Sequence, residues 1–196
     1  MRGVHREGNA VGIEGNAPLR PGAVVAIADQ IFKPLGMKDS GVDHAETIIE
    51  RRATGYATRN LGTRYDDTLI NVIGADISWA FGGGDLYSTV EDLYKFDQAL
   101  DSNQVISKSI VKLMFAPKHK ANEEGSYGYG WWINPGDFRS SREVVAAQGA
   151  LPGFITFLNR YSDSKTTLIL LCNNSLGCTT LRNEMPKFQT IMFGSP

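Results

Sequence analysis

Two stretches pair a serine with a lysine three residues later, Ser109-Ile110-Val111-Lys112 and Ser162-Asp163-Ser164-Lys165. On one helical turn that spacing sets an amine beside a hydroxyl, and the amine can take the hydroxyl proton as the oxygen attacks a carbonyl. Thirteen serines and nine lysines in 196 positions give roughly one such match by chance, so the spacing alone does not select a nucleophile. One match falls in an expected surface helix and the other in an expected hairpin turn, which assigns both to structure. His5, His44 and His119 share no ligand-like spacing. Cys172 and Cys178 form neither a CxxC pair nor half of a tetrahedral zinc set. No metal and no cofactor are therefore expected, and the two cysteines read as free thiols, with a local disulfide as the alternative.

The elements that would position such groups change period along the chain. Residues 1–21 hold no sustained periodicity and read as an irregular leader, and residues 22–196 as one partial domain. Val24, Ile27, Ala28 and Ile31 follow the spacing of a short amphipathic helix that Pro34 is expected to end. Gly82-Gly83-Gly84 lacks a preceding strand and the spacing of a phosphate loop, so it is expected to turn the chain before a helix. Ser88-Thr89-Val90-Glu91 has capping-box form, with Leu93, Phe96 and Leu100 as the buried stripe of the helix that follows. Ser107 to Phe115 reads as another helix with Ile110, Val111 and Met114 inward.

From Tyr127 the period becomes two. Tyr127, Tyr129, Trp131 and Ile133 alternate with Gly128, Gly130 and Trp132, the pattern of a half-buried strand. Glu143 to Ala147, Phe154 to Arg160 and Lys165 to Cys172 read as three further strands, the last two joined by Tyr161-Ser162-Asp163-Ser164 as an antiparallel hairpin. A final helix is expected from about Thr179 to Met192. Helices followed by an antiparallel meander define the α+β class.

Composition narrows the function. Apolar residues make up 42% of the chain, charged residues 21%, and the net charge is -1, with no basic stripe to neutralise phosphates; nucleic acid is not an expected partner. The apolar runs Ala23–Ala28 and Leu168–Cys172 are too short to span a bilayer. No export signal is read in the chain, so cytoplasmic is the default.

Five landmarks occur in one order: Ile31-Phe32-Lys33-Pro34-Leu35-Gly36-Met37-Lys38-Asp39-Ser40-Gly41, Ala53-Thr54-Gly55-Tyr56, Gly82-Gly83-Gly84-Asp85-Leu86-Tyr87-Ser88-Thr89, Tyr127-Gly128-Tyr129-Gly130-Trp131 and Leu151-Pro152-Gly153-Phe154. In that order they resemble the class C β-lactamase-like serine hydrolases, the superfamily of β-lactamases, penicillin-binding proteins, D-aminopeptidases, D,D-carboxypeptidases and esterases. The resemblance covers about residues 22 to 193. It implies the carboxy-terminal portion of the β-lactamase/transpeptidase-like fold, and acyl transfer through a serine with a lysine one turn later (SxxK), a tyrosine motif (YxN) and a strand motif (KTG or HxG).

Counting back from Leu151 places the strand motif on Ala147-Gln148-Gly149. The glycine matches, but Ala147 offers no charge, donor or acceptor where the resemblance implies lysine or histidine. A one-residue shift would bring up Gln148, which does not titrate. The N–H of Ala150 would correspond to the oxyanion-hole donor of this strand, and Gly149 equally reads as relief of crowding at a strand end. Tyr129, Trp131 and Gly153 are candidates to line a substrate cleft, although alternating aromatics on a strand more often form core. Both SxxK matches lie downstream of the Pro34-Leu35-Gly36-Met37 landmark, whereas the family's lies upstream, and no Tyr-x-Asn occurs. The chain is thus expected to begin past the half that carries the nucleophile and to be a β-lactamase-related serine hydrolase that is inactive alone. The alternatives are a non-catalytic ligand-binding or interaction module and a serine recruited from elsewhere. Expected partners are a small acyl or peptide-like ligand, and a second copy or a complementing amino-terminal half. Relatives are commonly exported by bacteria. Without the amino-terminal strands the sheet would present an open edge.

Overall fold

The computed structural model describes residues 26–43, 47–60, 65–72, 83–120, 125–134, 142–174 and 180–194. The expected leader at 1–21 lies outside them. The chain divides into two compact units, residues 1–51 with 73–96, and residues 52–72 with 97–196.

In the first unit the helix expected from the Val24 pattern continues as a π-helical segment, Ala28–Phe32, and a short α1, Lys33–Leu35. Pro34 does not end it. The proline sits within the last turn, and the chain leaves at a left-handed Gly36, where the Gly36 N–H donates to the Lys33 carbonyl at 3.1 Å and the Met37 N–H to the Phe32 carbonyl at 2.9 Å, a glycine-terminated helix end. Strands β1, Gly41–Val42, and β4, Leu86–Tyr87, form an antiparallel pair.

Helix α2, Val90–Ser102, follows. The expected cap is displaced by one residue: Thr89 Oγ1 accepts from the Asp92 N–H at 3.3 Å, so Thr89 rather than Ser88 caps the helix. Asp92, 1% exposed, turns away from the cap. Its Oδ2 accepts from the Asp39 N–H at 2.8 Å and from Ser40 Oγ at 2.9 Å, and its Oδ1 pairs with Lys95 Nζ at 2.6 Å. Lys95 also donates to the Gly36 carbonyl at 2.8 Å. The first turns of α2 thus grip the segment that follows α1. Burial acts to raise the Asp92 pKa, but the hydrogen bonds from Lys95, Ser40 and the Asp39 backbone outweigh it, and the carboxyl titrates below its ordinary 3.8.

The second unit is built on a six-stranded antiparallel sheet in the order β10-β9-β8-β7-β6-β5. Its long members are β8, Val144–Leu151, β9, Phe154–Tyr161, and β10, Thr166–Cys172; β5, His119–Lys120, β6, Ser126–Tyr127, and β7, Trp132–Ile133, are two residues each. The β9–β10 hairpin closes at 162–165 as expected. Its sheet confirms the α+β class. On one face Val144, Ala146, Phe157 and Tyr161 pack with Met185 of helix α4, Met185–Phe193, supported by Leu168, Leu170 and Phe188. Residues 180–183 are already helical, as expected, and after a turn at Glu184 the chain continues as α4, whose first turn holds Pro186.

On the other face, Arg160 of β9 meets the second half of α2. Its Nε lies 2.6 Å from Asp97 Oδ1 and its Nη2 lies 2.6 Å from Asp101 Oδ2, while Thr167 Oγ1 of β10 donates to Asp97 Oδ2 at 2.8 Å. Helix α3, Lys108–Met114, is capped by Ser107 and buries Val111; Ile110, expected inward, is 48% exposed.

Two differences from the sequence reading have clear causes. Tyr127 to Ile133 is not one strand but the tight hairpin β6–β7, closed by the Gly128 N–H on the Trp131 carbonyl at 2.8 Å. Gly130 takes φ +79°, a left-handed value that breaks the strand. A further hairpin, β2, Tyr56–Asn60, with β3, Tyr65–Asn71, lies in a stretch to which no element had been assigned. Cys172 is disulfide-bonded, which replaces the expectation of two free thiols; Cys178 lies outside the described residues.

Removing Arg160 leaves Asp97 as a buried carboxylate without its cation, so Arg160→Ala is expected to cost about 3–5 kcal/mol in urea unfolding. Because the folded pKa of Asp92 is depressed, its contribution to stability is present above the ordinary value of 3.8 and is lost as pH falls through the lowered one. Asp92→Asn is expected to flatten the acid limb of a stability–pH curve in that range.

Candidate functional site

The residues assigned to the strand motif fall together on the last half of β8. Ala147 stands opposite Leu158, Gln148 opposite Phe157, Gly149 opposite Thr156 and Ala150 opposite Ile155. Since Val144 and Ala146 face α4, strand alternation turns Val145, Ala147 and Gly149 to the opposite face and Gln148 towards α4. Gln148 is engaged there: its Oε1 accepts from Arg182 Nη2 at 3.3 Å. A register shift therefore does not bring the Gln148 amide onto the face of Ala147, and that face carries only a methyl group where the strand motif would carry a base or a cation. Gly149 and Ala150 are exposed.

A Cβ built on Gly149 would meet Thr156 Oγ1 at 2.8 Å, so the glycine keeps this strand end close to its neighbour. Gly153 is held more strictly. It has φ +81°, and a Cβ there would lie 2.9 Å from the Gly55 backbone and from Val72 Cγ2. Gly55 in turn abuts the Phe154 ring, where an added Cβ would lie at 2.6 Å. The turn between β8 and β9 and the start of β2, nearly a hundred residues apart in sequence, thus touch through bare backbone. The Val72 N–H closes on the Gly55 carbonyl and the Tyr56 N–H on the Asn173 carbonyl, both at 2.9 Å, and Asn173 Nδ2 donates to the Thr54 carbonyl at 2.9 Å. Sequence reasoning quoted Gly55 and Tyr56 as landmarks but had no signal for this contact; a glycine in each of two distant motifs was the only trace.

The remaining candidates separate. Tyr129 lies in the β6–β7 turn, 58% exposed, with Lys118 Nζ 5.6 Å from its ring centroid. Trp131 is 5% exposed and packs edge-on against Phe115 with centroids 5.1 Å apart, a core position. Of the two SxxK matches, Ser109 sits exposed in the first turn of α3 with its Oγ 2.9 Å from Ser107 Oγ. The other, Ser162 to Lys165, is the exposed β9–β10 turn, a full β9 length, about 25 Å, from Gly153. Among the described residues no group of His, Cys, Asp and Glu could hold a metal ion, and no helix is long and apolar enough to cross a membrane.

The beta-lactamase family model matches residues 22–180, and the chain belongs to that family. It is similar to a penicillin-binding protein of Bacillus subtilis (strain 168), 31% identical over 180 residues that make up 87% of this chain and 39% of that protein. The structure of a penicillin-binding protein from Bacillus halodurans superposes with a TM-score of 0.70 at 20% identity, over 87% of this chain and 49% of that one. D-amino acid amidase from Ochrobactrum anthropi SV3, complexed with D-phenylalanine, superposes with a TM-score of 0.63 at 26% identity, over 77% of this chain and 45% of that one. The chain spans between 28% and 39% of the length of the curated relatives it matches, as the carboxy-terminal portion of such a fold would.

Gly153→Ala combines a left-handed backbone with a backbone clash, and is expected to destabilise by about 2–4 kcal/mol. Gly149→Ala meets only a rotatable hydroxyl and is expected to cost about 1 kcal/mol or less. Urea midpoints of the two variants check the contrast.

Proposed function

We propose that this chain is the carboxy-terminal share of an acyl-transfer serine hydrolase and that it does not hydrolyse β-lactam, ester or amide bonds by itself. The observation that carries this reading is the methyl group of Ala147 on the β8 face where the family resemblance implies lysine or histidine. Nothing at this position can hold or move a proton, and the neighbouring Gln148 is turned to Arg182 on the other face. Both serine–lysine matches support the reading, because one is on the outside of α3 and the other in the turn at the far end of β9. What the β8 segment retains is backbone: the N–H of Ala150, exposed beside Gly149, is the group that would correspond to an oxyanion donor. In this reading the chain is a catalytically silent relative of bacterial penicillin-binding proteins.

A second reading, a non-catalytic module that binds a small acyl or peptide-like ligand, draws on the same exposed Gly149 and Ala150. The 26% identical amidase bound to D-phenylalanine supplies a probe of suitable chemistry. Amide shifts at Gly149, Ala150 and Gly153 on titration with D-phenylalanine would support it, and unmoved shifts would remove it.

For the first reading, the folded chain is incubated with a fluorescent penicillin and with a fluorophosphonate and followed by intact-mass spectrometry, with nitrocefin turnover alongside. No adduct and turnover at the buffer rate are expected. A stoichiometric acyl adduct that disappears in Ser109→Ala or Ser162→Ala would overturn the reading and identify a recruited nucleophile.

A further inference from the structure

The last residue of β10, Cys172, is disulfide-bonded and half-buried. The sequence holds two cysteines, Cys172 and Cys178, so within one chain the bond ties the end of β10 to a point six residues further on. The sheet does not need this tie, because β10 is hydrogen-bonded to β9 along its whole length, with Cys172 opposite Ile155. What the bond brackets is more telling. The first two residues after Cys172 are Asn173 and Asn174, and both hold the start of β2. The Tyr56 N–H donates to the Asn173 carbonyl at 2.9 Å, Asn173 Nδ2 donates to the Thr54 carbonyl at 2.9 Å, and Tyr56 and Asn174 form an isolated parallel bridge. Asn173 is itself exposed, so it grips β2 by hydrogen bonds rather than by burial.

Exposed hydrogen bonds contribute little singly and persist only while the chain that makes them is held in place. Closing a short loop removes many of the conformations that would carry Asn173 away from Thr54 and Tyr56. We infer that the disulfide of Cys172 is a redox-sensitive tie on the β2–β3 hairpin: oxidised, it keeps Asn173 and Asn174 against the start of β2, and reduction by a dithiol loosens that contact while the six-stranded sheet stays formed. In the reduction a thiolate of the dithiol attacks one sulfur of the protein bond, a mixed disulfide forms, and the second thiol of the reagent displaces it. The protein takes up two electrons and two protons as two thiols, and the dithiol leaves as its own disulfide. The effect reaches the β8–β9 turn, because Gly55, next to Tyr56, is the residue against which Gly153 and Phe154 pack.

The test is amide hydrogen exchange of the whole chain, air-oxidised and after dithiothreitol, with intact mass measured alongside. The oxidised monomer is expected to be two hydrogen atoms lighter than the reduced one. On reduction the amides of Tyr56 and Val72, which close on Asn173 and Gly55, are expected to exchange about tenfold faster or more, and to slow again on reoxidation. Ala146 and Leu158, in the paired β8 and β9, are expected to keep their rates. The double variant Cys172→Ser, Cys178→Ser is expected to exchange like the reduced protein under both conditions. Equal masses in the two states would overturn the inference by removing the bond. Unchanged exchange at Tyr56 and Val72 would overturn it by showing that the hairpin is held without the tie, and equal acceleration at Ala146 and Leu158 would overturn it by making the bond a staple of the whole unit. None of these outcomes depends on catalytic competence.

Discussion

The guanidinium of Arg160 is the point on which the larger unit turns. It lies on β9 beneath the second half of α2, 11% exposed, with Asp97 and Asp101 on one helix and Thr167 on the next strand closing round the same acid. A buried cation is costly unless opposite charge lies close, and here one helical turn supplies two carboxylates, each 2.6 Å from the guanidinium. The consequence is geometric. The pair fixes how residues 97–102 of α2 lie along β9 and β10, and β9 in turn fixes β8, whose register with it is continuous over eight residues. Phe115 lies under the same guanidinium, 5.4 Å from its centre, so the site that Trp131 and Phe115 help to pack is referred to the same anchor.

Much of this was legible in the residues. The strands read at Glu143 to Ala147, Phe154 to Arg160 and Lys165 to Cys172 fall on β8, β9 and β10, and Ser88 and Ser107 marked two helix starts to within a residue, because strand composition and cap chemistry are local. What escaped had non-local causes. The alternation of Tyr127 to Ile133 fitted a strand until Gly130 adopted a left-handed turn. Pro34 read as a terminus because it cannot donate within a helix, whereas the chain turns off two residues later, at the left-handed Gly36. The β2–β3 hairpin has its anchors at Gly153, Phe154 and Asn173, which no local window contains. Asp92 and Asp97 carry no local signal of burial; each is buried because partners come from distant segments.

The candidate site was legible in part for the same reason. The count from Leu151-Pro152-Gly153-Phe154 put Ala147 to Ala150 on one strand, where they lie. Which way each side chain points follows from the apolar cluster under α4, and that cluster separates Ala147 from Gln148. Family membership and chemical competence are thereby different questions for this chain: the fold is kept by Arg160, the Gly55–Gly153 contact and the α4 core, none of which asks for a base on β8.

The interleaving of the two units along the sequence bears on how the chain is made. Residues 52–72 belong with residues 97–196, so the β2–β3 hairpin leaves the ribosome well before the segment that holds it. Tyr56 finds its partner carbonyl at Asn173, 117 residues later, which at typical synthesis rates is a wait of roughly 6–25 s. During that interval an isolated two-stranded hairpin has little stability of its own. The nascent chain must therefore hold this segment without those partners while the intervening residues are made, and biosynthesis rather than equilibrium stability is where its topology demands most from the cell.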